Sequence, residues 1–381
     1  FLFAQEARPY SLWMVTILFS SATLLRALRV NSKKTWLLYS IATALSLWSF
    51  MLSILVLAGQ GLYVFIKEKF RFNKTVMSFG ASSAIALFSF LPWIGITFYH
   101  RHAAIGATNW VWKKIPLSRW IFRWMQHTSS VVLDLEKNFW LLSNKHRAVL
   151  AFVSLCVLMA LYIFLRRAPK RVALFIACLA LGTVSPLALP DLILGGVRST
   201  SGRYIAPFIL CCNLSLAYLI ADGIFNLSHQ LQFSKLIKWT STVLFYFLLL
   251  CGFVSIALGA NSSASWNKVL SQGNERVADI INQYPSPIVI ECMTDLNTFS
   301  LLYHLDADVK IAFFSGGFFS DEDPLEKIES KIDEILDNYS TILLFRPRSS
   351  LLENLQQDRD RELDPLYEGV SYTLFQLKLL E

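Results

Sequence analysis

Apolar runs of about 20 residues, several of them closed by lysine and arginine, restrict this chain more than any other feature. The first, Leu12 to Leu25, carries no charge and runs into Arg26, Arg29, Lys33 and Lys34. A helix of about 20 residues rises about 30 Å, the thickness of a bilayer's hydrocarbon core. Inside that core each backbone donor and acceptor must be bonded within the protein, which favours helices. The block from Trp36 to Ile66 is too long for one crossing. Ser46, Trp48 and Ser49 make its middle more polar and Gln60-Gly61 interrupt it late, so it reads as two helices, or as a re-entrant turn plus one full span. Further helices are predicted over 75–99, bent near Pro92, and over 148–165, 172–189, 205–221 and 240–258. Only 16% of the residues are charged, against about 25% in soluble proteins. The chain is therefore expected to be a polytopic membrane protein.

The net charge of +8 conceals a division. Residues 1–258 carry 25 Lys and Arg against 6 acids, and residues 259–381 carry 10 against 21. A basic part joined to an acidic part implies two domains in different solvents. The expected architecture is an all-α polytopic membrane domain over 1–258, then a small soluble α/β domain over 259–381. Nucleic acid is not an expected partner, because the positive charges flank apolar helices and form no continuous stripe. Short basic loops face the cytoplasm. That rule puts 26–34, 67–74, 166–171 and 224–238 inside. It leaves the chain start, the 100–146 loop, Asp191–Arg203 and the C-terminal domain outside.

Two regions break the run of apolar helices. Between 100 and 146, Trp110, Trp112, Trp120 and Trp124 alternate with Lys113, Lys114, Arg119 and Arg123. Aromatic and basic residues at helical spacing suit a helix lying among lipid headgroups. It would either anchor to anionic lipid or meet a phosphate-bearing lipid substrate. After Asn261, helical patterns at 267–283, 295–305, 323–339 and 349–357 alternate with β-rich runs at 287–292, 309–314, 341–345 and 372–379. That alternation predicts a small α/β sheet domain. Gly316-Gly317 lacks the surroundings of a phosphate loop. Five of the six cysteines sit in apolar runs, Cys292 ends a predicted strand, and neither disulfides nor zinc are expected. The opening residues do not form a signal peptide, and the chain reads as a fragment whose beginning lies upstream.

Candidate site residues gather on the outward side. Glu6 is one of the six acids of the first 258 residues and stands beside Arg8 and Tyr10, directly before the first span. Ionisable groups near bilayer depth are costly and are functional candidates by default. Asp191 with Arg198 and Arg203-Tyr204, and His100-Arg101-His102 with the loop beyond, are expected to converge with them on one pocket. Arginine's planar fork matches phosphate oxygens, and a carboxylate or histidine could deprotonate an acceptor. Each group also has a plainer reading. Arg198 and Arg203 could anchor a helix end, the histidines could be interfacial polar residues, and Asp191 after Pro190 could be a turn or helix-cap residue. No Ser/His/Asp or Cys/His arrangement supports covalent catalysis. A divalent metal stays open, with no ligand set visible for one.

Two stretches carry a family resemblance. Gln5-Glu6-Ala7-Arg8-Pro9-Tyr10-Ser11-Leu12 resembles the signature of integral-membrane GT-C glycosyltransferases, the group of protein O-mannosyltransferases and aminoarabinose transferases. Gly202-Arg203-Tyr204-Ile205-Ala206-Pro207 resembles the start of a later helix in the same family. The resemblance covers residues 1–258 and implies a GT-C-type helical bundle in a bacterial inner membrane, with the terminal domain on the periplasmic side. It implies inverting transfer of a sugar from a polyprenyl-phosphate donor to a lipid, glycan or protein acceptor. Glu6 would support catalysis, while Arg8, Tyr10, Arg203, Tyr204, His100 and Arg101 would bind donor phosphate or substrate. The principal catalytic Asp is expected upstream of residue 1. A histidine common in the family has no counterpart at Leu47-Trp48-Ser49-Phe50-Met51. A lipid-linked glycan polymerase or ligase, a transporter and a non-catalytic scaffold remain as alternatives.

Overall fold

Asn31 and Ser32 show how short polar residues turn one apolar helix into the next. Helix α1 (Tyr10–Val30) ends at Asn31, whose left-handed φ of 50° lets its N–H bond the Ala27 carbonyl. Ser32 then caps α2 (Lys33–Ser49) in a reciprocal capping box with Thr35. Trp36 Nε1 donates to Asn31 Oδ1 at 2.9 Å and closes the corner. In this computed structural model the described residues are 9–134, 143–225, 235–260, 273–291, 300–313, 335, 339–347, 349–357, 361–369 and 373–379. The chain divides into two compact units, Phe1–Ala260 and Asn261–Glu381.

The first unit continues with α3 (Ser53–Lys67), α4 (Lys74–Tyr99), α5 (Arg101–Thr108), α6 (Leu117–Ser129), α7 (Asn144–Arg167), α8 (Lys170–Leu194), α9 (Ala206–Phe225) and α10 (Lys235–Ala260). Five of these, α1, α4, α7, α8 and α9, are long and apolar enough to cross a membrane. The block at 36–66 is two helices, parted at Phe50–Leu52. Pro92 lies within one continuous α4. Helix α8 runs through Pro186 and Pro190 to Leu194, past its expected end. Asp191 therefore sits in the last helical turn and is not a cap.

Burial in this unit follows the logic of a bilayer. Leu12, Val15, Leu18 and Phe19 on α1 are exposed, while Trp13, Thr16, Ile17 and Ser20 are buried. Apolar side chains can face lipid at no cost, whereas polar ones must find partners inside. They do. Trp13 Nε1 donates to Ser53 Oγ at 2.7 Å, and Tyr39 Oη donates to Gln60 Oε1 at 2.8 Å. The Gln60 amide in turn donates to Ser20 and Ser21. Gln60, which interrupts the apolar run, is thus the polar hub joining α1, α2 and α3.

Helices α3 and α8 touch backbone to backbone at Gly59 and Gly182. A Cβ on Gly182 would collide with the Gly59 backbone, and one on Gly59 would lie 2.8 Å from the Cys178 carbonyl oxygen. Gly182→Ala should gain about 1 kcal/mol of helix propensity but lose about 1–3 kcal/mol to overpacking. The expected net result is a lower melting temperature for the detergent-solubilised protein. A Gly182→Ala protein that melts at or above wild type would contradict this packing.

In the second unit, β1 (Ile288–Glu291), β2 (Lys310–Phe313), β3 (Ile342–Phe345), β4 (Arg361–Glu368) and β5 (Thr373–Leu379) form a sheet of order β2–β1–β3–β5–β4. The first three strands are parallel, and β5 and β4 add antiparallel. Strands β1 and β3 are buried along their whole length, as central parallel strands are. Val277, Ala278 and Ile281 of α11 (Asn274–Ile281) pack with Val289, Leu343 and Phe345. Leu351 and Leu355 of α12 (Ser349–Gln357) pack with Ile290, Ile342 and Leu344 on the opposite face. The α/β expectation holds, with one strand more than the sequence suggested. Strand β4 holds four acidic or basic residues and Pro365, all tolerable at a sheet edge, with a bulge between Pro365 and Tyr367. Nearly all of the predicted helix at 323–339 and the first five residues of that at 295–305 lie outside the described residues, as does Gly316-Gly317.

Candidate functional site

The turn between α8 and α9 is the centre around which the first unit's polar side chains collect. Gly195 and Gly196 leave α8 with φ of 81° and 145°, conformations that favour glycine. They fold the chain back so that Arg198 and Ser199 meet Asp191. Arg198 donates to Asp191 Oδ1 at 3.0 Å, while Ser199 N–H and Oγ–H both donate to Oδ2 at 2.7 Å. The carboxylate side chain is wholly buried. Asp191 is therefore a counter-ion and a brace for the turn, and both oxygens are taken. Of the sequence's readings of Asp191, the turn residue is the one this geometry supports. Gly196 cannot gain a side chain, because a Cβ would collide with Arg198 and lie 2.6 Å from Asp191 Oδ1.

Helix α6 holds the other side of the turn. Trp120, Arg123, Trp124 and His127 share one helical face by their spacing of three, four and seven residues. Both indole N–H groups donate to Ser199 Oγ, at 3.2 and 3.3 Å, and Arg123 donates to Thr200 Oγ1 at 3.3 Å. His127 Nε2 lies 2.7 Å from the Thr200 carbonyl oxygen. A carbonyl only accepts, so Nε2 carries the proton and donates. Gly202 sits against the imidazole ring, where a Cβ would lie 2.8 Å from Nδ1. This part of the 100–146 loop is thus more than a headgroup anchor, since one face of α6 is a clamp on residues 199–202.

Burial pushes the His127 imidazole down to about 4, and Arg123 adds to the fall while the Thr200 bond opposes it. An unfolded histidine titrates near 6.5. Between those values the unfolded chain binds the extra proton, so stability drops as pH falls from about 6.5 to about 4 and is constant above. The difference amounts to about 3 kcal/mol. Wild type should lose melting temperature between pH 7.5 and pH 5 more steeply than His127→Gln, which cannot titrate. Parallel curves for the two proteins would contradict this assignment.

An aromatic chain leads from this turn to the start of α1. The Arg203 guanidinium lies 5.3 Å from the Trp110 ring centroid and 5.2 Å from that of Tyr204. Tyr204 stacks on Trp110 at 6.0 Å and meets Phe50 at 6.3 Å. Phe50 in turn contacts Tyr10 at 5.5 Å and Trp13 at 4.6 Å. Arg198 lies 4.0 Å from the Trp112 ring. Burial raises the Tyr204 phenol, partly offset by Arg203, so it stays protonated at neutral pH. Among the described residues, the ion pairs leave Arg203 without a carboxylate partner.

Tyr10, Arg203 and Tyr204 are therefore brought together, as the sequence suggested. Glu6 and Arg8 lie outside the described residues. His100 and Arg101 are exposed, and their described ring contacts are local, to Tyr99 at 4.9 Å and Phe98 at 5.1 Å. Of that third group, the loop beyond reaches the turn, through Trp110, Trp112 and residues 120–127, while His100 and Arg101 show no described contact with it. Trp110 belongs to the aromatic–basic loop expected at the pocket, whereas the sequence does not single out Phe50, Ser199, Thr200 or His127 as site-building residues. For α6 the 120/123/124/127 spacing was an available signal, whereas nothing local marks Phe50 or Ser199.

Charge at this end is strongly positive. Residues 100–134 and 190–205 contain seven Lys and Arg against two Asp, one of them the buried Asp191. Among the described residues no three His, Cys, Asp or Glu side chains group as a metal site. The arrangement suits an anion presented to arginine beside flat aromatic surfaces. A scan against protein-family models and a search of curated proteins each return no match.

Proposed function

We propose that this chain works as a membrane glycosyltransferase of the GT-C kind, moving a sugar from a polyprenyl-phosphate donor to a lipid, glycan or protein acceptor at the outer face of the membrane. The observation that carries the reading is Arg203, held over Trp110 and Tyr204 with no described carboxylate against it. An arginine so placed can accept a phosphate through its planar fork. The sequence motifs around Tyr10 and Arg203 supply the second support, since Phe50 and Tyr204 link those two stretches.

In this reading the acceptor oxygen or nitrogen attacks the anomeric carbon as the bond from that carbon to the phosphate oxygen breaks. The electron pair leaves with the polyprenyl phosphate, and one displacement inverts the anomeric configuration. Arg203 stabilises the charge growing on the departing phosphate, which is worth most in a dry, preorganised site. Tyr204 and Trp110 fix the guanidinium, and the α6 clamp fixes the backbone that carries it. The acceptor proton would go to a carboxylate base, a role in which Glu6 would take part. A bacterial inner membrane with the second unit outside fits the basic loops.

The test supplies radiolabelled polyprenyl-phosphate sugars to the complete protein in lipid, together with a pool of lipid acceptors. Label should move to an acceptor, and the product should have the opposite anomeric configuration to the donor. If no donor in a panel of sugars is consumed, the transferase reading fails.

A further inference from the structure

The transfer chemistry makes no use of a cleft on the far side of the Asp191 brace. It is an open cavity of about 310 Å³ between Lys114, Ile115, Leu117 and Trp120 on one side and residues 191–196 on the other. Its floor is shaped by the two glycines. A Cβ at Gly195 would lie 3.0 Å from Cγ and 3.4 Å from Cδ of Lys114, so the lysine stem lies directly across bare backbone. The Asp191 oxygens in the wall are already engaged by Arg198 and Ser199. Lys114 therefore supplies the charge that the cleft offers to a ligand.

The rim is apolar and lies at the end of a membrane-length helix. Leu117, Leu192, Ile193 and Leu194 are 60%, 51%, 76% and 63% exposed, the last three in the final turn of α8. Exposed aliphatic groups belong in the acyl region, and a lysine beside them reaches headgroup depth, as snorkelling lysines do. We propose that this cleft binds an anionic glycerophospholipid, its phosphodiester on Lys114 and an acyl chain along Leu192–Leu194. A phosphodiester carries one negative charge and matches a single lysine. A phosphomonoester with about two charges would be better served by the arginines elsewhere at this end.

The site can be tested by titrating the complete, delipidated protein with dioleoylphosphatidylglycerol or dioleoylphosphatidylcholine and counting bound lipid by native mass spectrometry. Lys114→Glu should weaken phosphatidylglycerol binding about tenfold, while Lys74→Glu, an exposed lysine at the start of α4, should leave it unchanged. Phosphatidylcholine should bind wild type more weakly, and millimolar inorganic phosphate should not displace the lipid. Equal losses in the two lysine variants, equal binding of both lipids, or displacement by phosphate would each overturn the proposal. Lys114→Gln keeps the stem over Gly195 and carries the same comparison if Lys114→Glu does not fold.

Discussion

Asp191→Ala should destabilise the first unit by about 3–5 kcal/mol, the usual cost of removing one partner from a buried ion pair. The loss has two parts. Arg198, with only 14% of its side chain exposed, would keep its charge with no counter-ion. Ser199 would also lose the acceptor for its N–H and its hydroxyl, and the two tryptophans that donate to that hydroxyl would lose their anchor. Asp191→Asn preserves volume but not charge, so it should recover little. Asp191→Leu combined with Arg198→Met removes both charges together and should recover much of the stability, because an apolar pair of similar volume often replaces a buried ion pair without loss. Melting temperatures of the three purified variants beside wild type check the order. An Asp191→Ala protein as stable as wild type would mean that the turn is held by α6 alone.

Arg203→Ala has the largest expected effect on activity and a small one on stability. Its described contacts are the two aromatic rings and a hydrogen bond to Tyr204, and a cation–π contact at a partly exposed site is worth about 0.5–1 kcal/mol. Removing a group that stabilises charge only in the transition state costs about 10²–10³ in rate. The melting temperature should thus hardly move while sugar transfer falls by two to three orders of magnitude. Arg203→Lys keeps the charge but not the planar fork, and should restore only part of the rate. Initial rates with a radiolabelled donor, measured beside thermal melts, separate the two effects. Full transfer by Arg203→Ala would remove the residue from the phosphate site.

The helices were legible because a bilayer imposes a length and a composition on any segment that crosses it, and no tertiary information is needed to see them. The strands of the second unit were legible for a related reason, since β1 and β3 are short apolar runs that only a sheet core would bury. Strand β4 was not, because its charges and Pro365 suit an edge and look like a loop until β5 is beside them. Gly59 and Gly182 illustrate the same limit. Each looks like an ordinary glycine in an apolar run, and only the crossing of α3 with α8 makes either one necessary. At the candidate site Asp191, Arg198 and Arg203 were visible as rare charges at a helix end. Their relation was not, since the turn at Gly195-Gly196 decides that Asp191 braces Arg198 and, among the described residues, not Arg203. Helix α6 carried a periodic polar face that could have been read as a clamp, but its tryptophans and arginines matched an interfacial helix equally well.

The central claim is that the end of the first unit around Arg203 receives a lipid-linked phosphate. It is tested most directly by photo-crosslinking a diazirine-bearing polyprenyl phosphate to the complete protein in lipid and mapping the labelled peptides. The expected result is label on the peptides holding Trp110 and Tyr204, removed by an excess of unlabelled polyprenyl-phosphate sugar and lost in Arg203→Ala. Label confined to exposed apolar faces such as that of α10, or label that the unlabelled donor does not remove, would contradict the claim.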